Sequence, residues 1–203
     1  MRKSASSKWR KKNTESISYK GIPCDSELEY YFGSYLDELK SLGYVDEFDR
    51  SGSFALSEPF FHSYAKPVGR KTSSQVRDEK LLEGCLYTPD FKVIFTKKAY
   101  GKIVFTLEDK EALKGKFIGK WTEDKKHLLA IFEVKPVIDW RNTIQLFRYL
   151  QKWVLKDYEV FVNLVKVPEI FSKTFTPKEY LKTRKGNQRS LKYKPINVEK
   201  YLS

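Results

Sequence analysis

Leu28, Phe32, Tyr35, Leu36, Leu39 and Leu42 recur three or four positions apart, the spacing that lines one face of a helix. Ser26-Glu27-Leu28-Glu29 precedes them in a capping-box pattern, and Gly43 suits the C-terminal cap, so a helix is predicted over 26–42. Tyr44 to Phe48 and Ser53 to Phe61 read as extended. Residues 65–84 are polar and punctuated by Gly and Pro, the pattern of a loop. Leu86 to Phe95 and Lys102 to Leu107 predict a hairpin turning at about Lys97 to Gly101. Residues 109–126 are charged and weakly patterned. Leu128 to Val134 has the continuous apolar character of a buried strand and is ended by Pro136. A helix over Thr143 to Leu155 and a strand over Glu159 to Val167 complete the pattern. No internal repeat is visible. The order predicts a mixed α/β domain around a central sheet flanked by helices.

Composition narrows the class. The 203 residues fit one domain, and 40% hydrophobic with 15% aromatic content excludes wholesale disorder. No apolar run approaches the roughly 18 residues that span a bilayer, and no hydrophobic stretch follows the basic N-terminus as in a secretory signal. No membrane association is therefore expected. The two cysteines, Cys24 and Cys85, have no partners at zinc-ligand spacing, so a reducing, cytoplasmic compartment is expected. The net charge of +13 is concentrated. Residues 1–20 hold seven basic residues against Glu15, and residues 182–194 hold six with no acid, so two segments carry 12 of the 13 excess charges. Such footprints suit a polyanion, with Lys8, Arg10, Lys11, Lys12, Arg184, Lys185, Arg189 and Lys192 as the expected DNA-binding residues and Trp9 read either as stacking on a base or as a disordered tail residue. The organisation expected is a basic arm over 1–20, a core over 21–168 and a basic C-terminal extension over 169–203.

Within the core, Tyr87-Thr88-Pro89-Asp90-Phe91 places an acid at the start of an apolar strand. Glu133-Val134-Lys135 places an acid and a lysine two apart in another strand, hence on one face. Two carboxylates projecting from adjacent strands suit a hard divalent cation with oxygen ligands. A lysine beside them can position water or neutralise developing phosphate charge. On helix one, at about 100° per residue, Glu29 falls on the margin of the apolar stripe and Glu27 well outside it. Glu29 is therefore directed along the helix–sheet seam, or closes a plain capping box.

In Pro89-Asp90 and Glu133-x-Lys135, with Glu29 on an upstream helix, the chain resembles the PD-(D/E)XK nuclease superfamily over residues of about 20–165. It looks most like phage-type junction-resolving endonucleases, which share Ser-x-x-Glu and a Tyr-Thr-Pro-Asp-Phe run. The Glu-Val-Lys-Pro form is also similar to TnsA-like transposase endonuclease subunits and phage head-completion nucleases. The resemblance implies a restriction-endonuclease-like core with a central mixed sheet. Because Glu133 lies 43 positions after Asp90, it also implies an inserted hairpin or flap over 96–127. The implied activity is Mg²⁺-dependent DNA cleavage, with Mn²⁺ able to substitute. Glu29, Asp90 and Glu133 would lie on the metal and Lys135 at the water. Branched DNA such as Holliday junctions, a twofold homodimer and a phage-encoded origin belong to the same implication.

Other arrangements remain open. Glu108-Asp109-Lys110 also reads acid-x-lysine and ends an apolar strand 18 positions after Asp90. Gln145 and Tyr149 lie one turn apart on the second helix, a spacing similar to that of RecB-like nucleases and equally explained by packing. Trp121, Trp140 and Trp153 are expected in the core or under loops. His62 and His127 are the only histidines and lie far apart, which disfavours histidine-based hydrolysis. Two other function classes stay in view: a nucleic-acid-binding or virion-assembly protein on a nuclease scaffold, and a subunit that cuts only with other protein subunits in a larger assembly.

Overall fold

The computed structural model describes residues 17–67, 74–109, 117–139 and 142–203. Strands β1 (Ile17–Tyr19) and β2 (Ile22–Cys24) pair across Lys20 and Gly21, both at positive φ as a tight two-residue hairpin turn requires. Helix α1 (Glu27–Ser41) starts at Ser26, whose side chain accepts from the Glu29 N–H. It ends with Gly43 at φ +74°, the Gly43 N–H on the Lys40 carbonyl and the Tyr44 N–H on that of Leu39, a Schellman closure. The chain continues through β3 (Val45–Arg50), β4 (Phe54–Ser57), β5 (Phe60–Pro67), β6 (Ser74–Leu82), β7 (Cys85–Tyr87) and β8 (Phe91–Thr96). Then come β9 (Val104–Phe105), β10 (Phe117–Ile118), β11 (Lys120–Trp121) and β12 (His127–Val134). Helix α2 (Thr143–Tyr158), β13 (Val162–Val165), α3 (Val167–Lys173) and α4 (Val198–Leu202) follow.

The architecture is mixed α/β. A five-stranded sheet runs β11-β12-β8-β3 with antiparallel neighbours, and β13 lies parallel to the second half of β12. Strand alternation gives the sheet two apolar faces. Phe91, Val93, Phe95 and Phe132 pack with Phe32, Tyr35, Leu36 and Leu39 of α1. Ile131 and Val162 pack with Phe147 and Val154 of α2, together with Leu56 and Tyr87. Among the described residues, no helix is long and apolar enough to cross a membrane.

Four expectations change. The loop expected over 65–84 is largely a hairpin, because β5 and β6 pair from Phe60↔Leu82 to Pro67↔Ser74. Over 60–65 and 76–82 both faces of this ribbon meet solvent, so its sequence lacks the one-sided alternation that marks a half-buried strand. The hairpin expected between Leu86–Phe95 and Lys102–Leu107 does not form. Both edges of β8 are taken by β3 and β12, and β9 pairs in parallel with β10 instead. The insertion expected over 96–127 is partly sheet and core: β11 joins β12, and Ile103, Val104 and Phe117 are buried. Finally, 169–203 is no appended tail. Phe171, Phe175, Tyr180 and Val198 are core residues, and Phe175 stacks on Tyr35 of α1 at 4.3 Å between ring centroids.

Candidate active site

Phe91 of β8 stands opposite Phe132 of β12, and the Asp90 N–H donates to the Phe132 carbonyl at 2.9 Å. One step further along this antiparallel pair, Asp90 comes beside Glu133. Opposed residues share a face. Phe91 and Phe132 turn to the α1 side, so Asp90 and Glu133 turn to the other, where Tyr87 lies. Lys135, two residues on, returns to the Glu133 side, and its N–H holds the Val165 carbonyl at 2.9 Å. The strand register alone therefore assembles an acid pair and a lysine.

Each group is tied down. The Val134 N–H donates to Asp90 Oδ2 at 2.6 Å. The Tyr87 hydroxyl donates to Glu133 Oε2 at 3.0 Å, and Lys135 Nζ pairs with Glu133 Oε1. Glu133 is 6% exposed, so Lys135 and Tyr87 supply the partners that a buried carboxylate needs. Burial, and after it the Glu133 charge, pushes Tyr87 well above the ordinary tyrosine range, so its proton stays on the phenol and donates.

Burial, followed by the neighbouring Glu133, raises Asp90 from 3.8 to about 7, against the opposing pull of the Val134 N–H. A carboxyl raised on folding favours the protonated native state. Its contribution to stability is complete below 3.8 and is lost as pH rises through about 7. Asp90→Asn keeps an acceptor for Val134 and carries no charge. It is expected to gain about 1–3 kcal/mol over wild type at about pH 8 and little at about pH 4. Urea unfolding at both pH values measures this, and an equal difference at the two would refute it.

Glu29 is buried at 5% exposure and approaches from α1. Its Oε1 accepts from Ser26 Oγ at 2.8 Å, and its Oε2 accepts from the Asp25 N–H at 2.8 Å and from Arg50 Nη1 at 2.9 Å. Glu29 thus closes the cap, reaching the N–H one residue before Ser26, and also meets an arginine. That Arg50, at the end of β3, lies 3.7 Å from Asp90 Oδ1 and 3.0 Å from Asp25 Oδ2. Burial opposes its charge, but Glu29, Asp90 and Asp25 outweigh it and hold the guanidinium above its usual range. Among the described residues, no three His, Cys, Asp or Glu side chains are gathered to ligate one ion. The geometry gives the reason: Asp90 and Glu133 adjoin, while Glu29 is turned onto Arg50.

No sequence pattern marks Arg50 or Tyr87 as a site residue. Tyr87 sits in the Tyr-Thr-Pro-Asp-Phe run, whereas Arg50 ends a polar strand, Val45-Asp46-Glu47-Phe48-Asp49-Arg50, that carries no motif.

The remaining candidates separate by position. Glu108 is exposed after β9, outside the central sheet, on the rim of a cleft of about 310 Å³ that contains none of the three acids above. Its partner Lys110 lies outside the described residues, as do Lys8, Arg10, Lys11, Lys12, Trp9 and Trp140. Gln145 and Tyr149 are exposed on α2. Trp121 is half-buried, 5.1 Å from Tyr100 between ring centroids, and Trp153 is exposed, not packed inside as expected. His62 is exposed on β5, and His127 Nε2 lies 3.9 Å from Asp46.

Arg184, Lys185 and Lys192 are exposed. Arg189 is not: its guanidinium lies 4.9 Å from the Tyr31 ring centroid and 4.4 Å from that of Tyr180, and it donates to the Tyr31 hydroxyl and the Tyr180 carbonyl. It anchors the C-terminal segment to α1. Leu191 and Tyr193 also pack on the core, so deleting 184–194 removes packed residues, not only charge.

No protein-family model, curated protein or solved structure matches the chain.

Proposed function

We propose that the chain is a metal-dependent endonuclease with a restriction-endonuclease-like core, hydrolysing DNA phosphodiester bonds. The observation that carries this reading is Asp90 beside Glu133 on adjacent strands, Glu133 buried and Asp90 partly so, with Lys135 on Glu133. Two adjoining carboxylates suit Mg²⁺, which binds through one or two carboxylates while keeping waters and substrate phosphate. Mn²⁺ fits the same oxygen donors. When bound, the ion supplies Lewis-acid chemistry at the phosphate. Asp90 and Glu133 hold it. Lys135 orients the attacking water and offsets charge growing on the phosphate oxygens. Tyr87 fixes the Glu133 carboxylate in place. Branched DNA is the proposed substrate form, and symmetric paired cuts on it would need two copies of the chain.

Supercoiled plasmid incubated with the protein and Mg²⁺ is expected to be nicked and linearised, with EDTA abolishing both. Binding without cleavage would favour a nucleic-acid-binding or virion-assembly role. Cleavage only after adding cell lysate would favour a subunit of a larger assembly.

The exposed cations Arg184 and Lys185 are proposed to meet phosphates. Arg184→Gln with Lys185→Gln is expected to lower the slope of log affinity against log salt by about 1.8 on duplex DNA, at about 0.9 for each phosphate no longer neutralised. The melting temperature should stay within about 2 °C. Arg189→Gln is expected to do the reverse, lowering the melting temperature and sparing the slope. Anisotropy titrations at several salt concentrations, beside thermal melts, separate the two. An unchanged slope in the double variant would make these residues solubilising charge.

A further inference from the structure

Arg50 has a place in the site that the chemistry of the acid pair and Lys135 leaves unused. Register fixes it: Arg50 stands opposite Phe91, next to Asp90, and the Ser51 N–H on the Asp90 carbonyl at 3.3 Å carries the strand pairing past both residues. Its Nη1 lies between Glu29 Oε2 at 2.9 Å and Asp90 Oδ1 at 3.7 Å, while Nη2 reaches Asp25 Oδ2 at 3.0 Å. One planar fork thus serves three carboxylates. Glu29 is committed in turn, with both its oxygens accepting from protein donors.

With Asp90 ionised, as a carboxylate on a metal must be, four carboxylates (Asp25, Glu29, Asp90 and Glu133) face two cations, Arg50 and Lys135, leaving a net charge of −2. One divalent ion cancels that sum, and a second would reverse it.

We propose that Arg50 is a built-in counter-ion standing where a second metal ion would otherwise join Glu29 to Asp90, so that the site takes a single divalent ion on Asp90 and Glu133. The inference rests on the nuclease reading and deepens it. Glu29 becomes a positioning residue: it holds Arg50, and Arg50 holds the outer side of Asp90. The expectation that Glu29 is a metal ligand is replaced. Arg50 is a quarter exposed, so its outer edge also presents a fixed positive charge toward solvent, where a phosphate would arrive.

The test is a count of ions rather than a rate. Mn²⁺ titrated into the full chain, with unbound ion read by electron paramagnetic resonance, is expected to give one tight site per chain. Glu29→Gln is expected to keep that site with affinity lowered by no more than about a hundredfold, the range for losing a residue that positions a ligand, whereas removal of a direct ligand would abolish tight binding. Arg50→Ala is expected to admit a second ion, and Arg50→Lys to restore the count to one. Two ions on the wild type, or loss of the tight site in folded Glu29→Gln, would overturn this inference and leave the nuclease reading standing. No Mn²⁺ bound by the wild type would overturn both. Should Arg50→Ala fail to fold, the wild-type count and Glu29→Gln decide the matter.

Discussion

Glu133→Gln is expected to reduce DNA cleavage by about a hundredfold or more while leaving the protein folded and still able to bind DNA. The amide keeps an oxygen for the Tyr87 hydroxyl, so the local hydrogen bond survives. The variant loses the negative charge that Lys135 pairs with and that would hold a cation beside Asp90. Asp90→Asn is expected to match it, since its amide can still accept from the Val134 N–H. Both variants remove negative charge near an incoming phosphate, so DNA affinity should hold or rise. Plasmid cleavage at saturating Mg²⁺, with anisotropy for binding, measures the two effects separately. Near wild-type turnover in either variant would remove the acid pair from the chemistry and bring Glu108 and Lys110 forward.

The acid pair was legible in sequence because strands impose their geometry locally. A period of two sets Glu133 and Lys135 on one face, and Asp90 at the mouth of an apolar strand needs only an antiparallel neighbour to find Glu133. Helix α1 was legible for the same reason: its apolar stripe, Ser26 cap and Gly43 stop are all short-range signals. Arg50 was not, since it reaches Glu29 across 21 positions and Asp90 across 40, and only the assembled sheet brings them together. The β5–β6 ribbon escaped because a strand wet on both faces has no apolar face to reveal it. The C-terminal segment misled through its charge. Six cations in 182–194 hide Arg189, whose guanidinium is spent on two tyrosines, and mask Leu191 and Tyr193, which pack on the core. Net charge counts residues, and burial decides which of them a ligand can meet.

Lys135→Arg is expected to lose most activity although the positive charge is kept, and Lys135→Ala nearly all, with both variants folded and binding DNA. The Lys135 ammonium already lies on Glu133 Oε1 beside an almost fully buried carboxylate. A compact ammonium on a flexible stem can hold that oxygen and still turn a donor toward a water in the pocket. A guanidinium is wider, and its donors are fixed in one plane, so pairing with Glu133 dictates where the rest of the fork points. The other Glu133 oxygen is taken by Tyr87, so a bidentate grip would have to displace that hydroxyl or push into the space beside Asp90. Either outcome disturbs the acid pair. If Lys135 served only to balance the Glu133 charge, arginine would do so at least as well, since Arg–carboxylate pairs are the stronger ones. The two roles therefore predict opposite results for one substitution. Turnover of Lys135→Arg equal to wild type at saturating Mg²⁺ would leave Lys135 as structural charge balance. A drop of about tenfold or more with an unchanged melting temperature would place its ammonium at the reacting water.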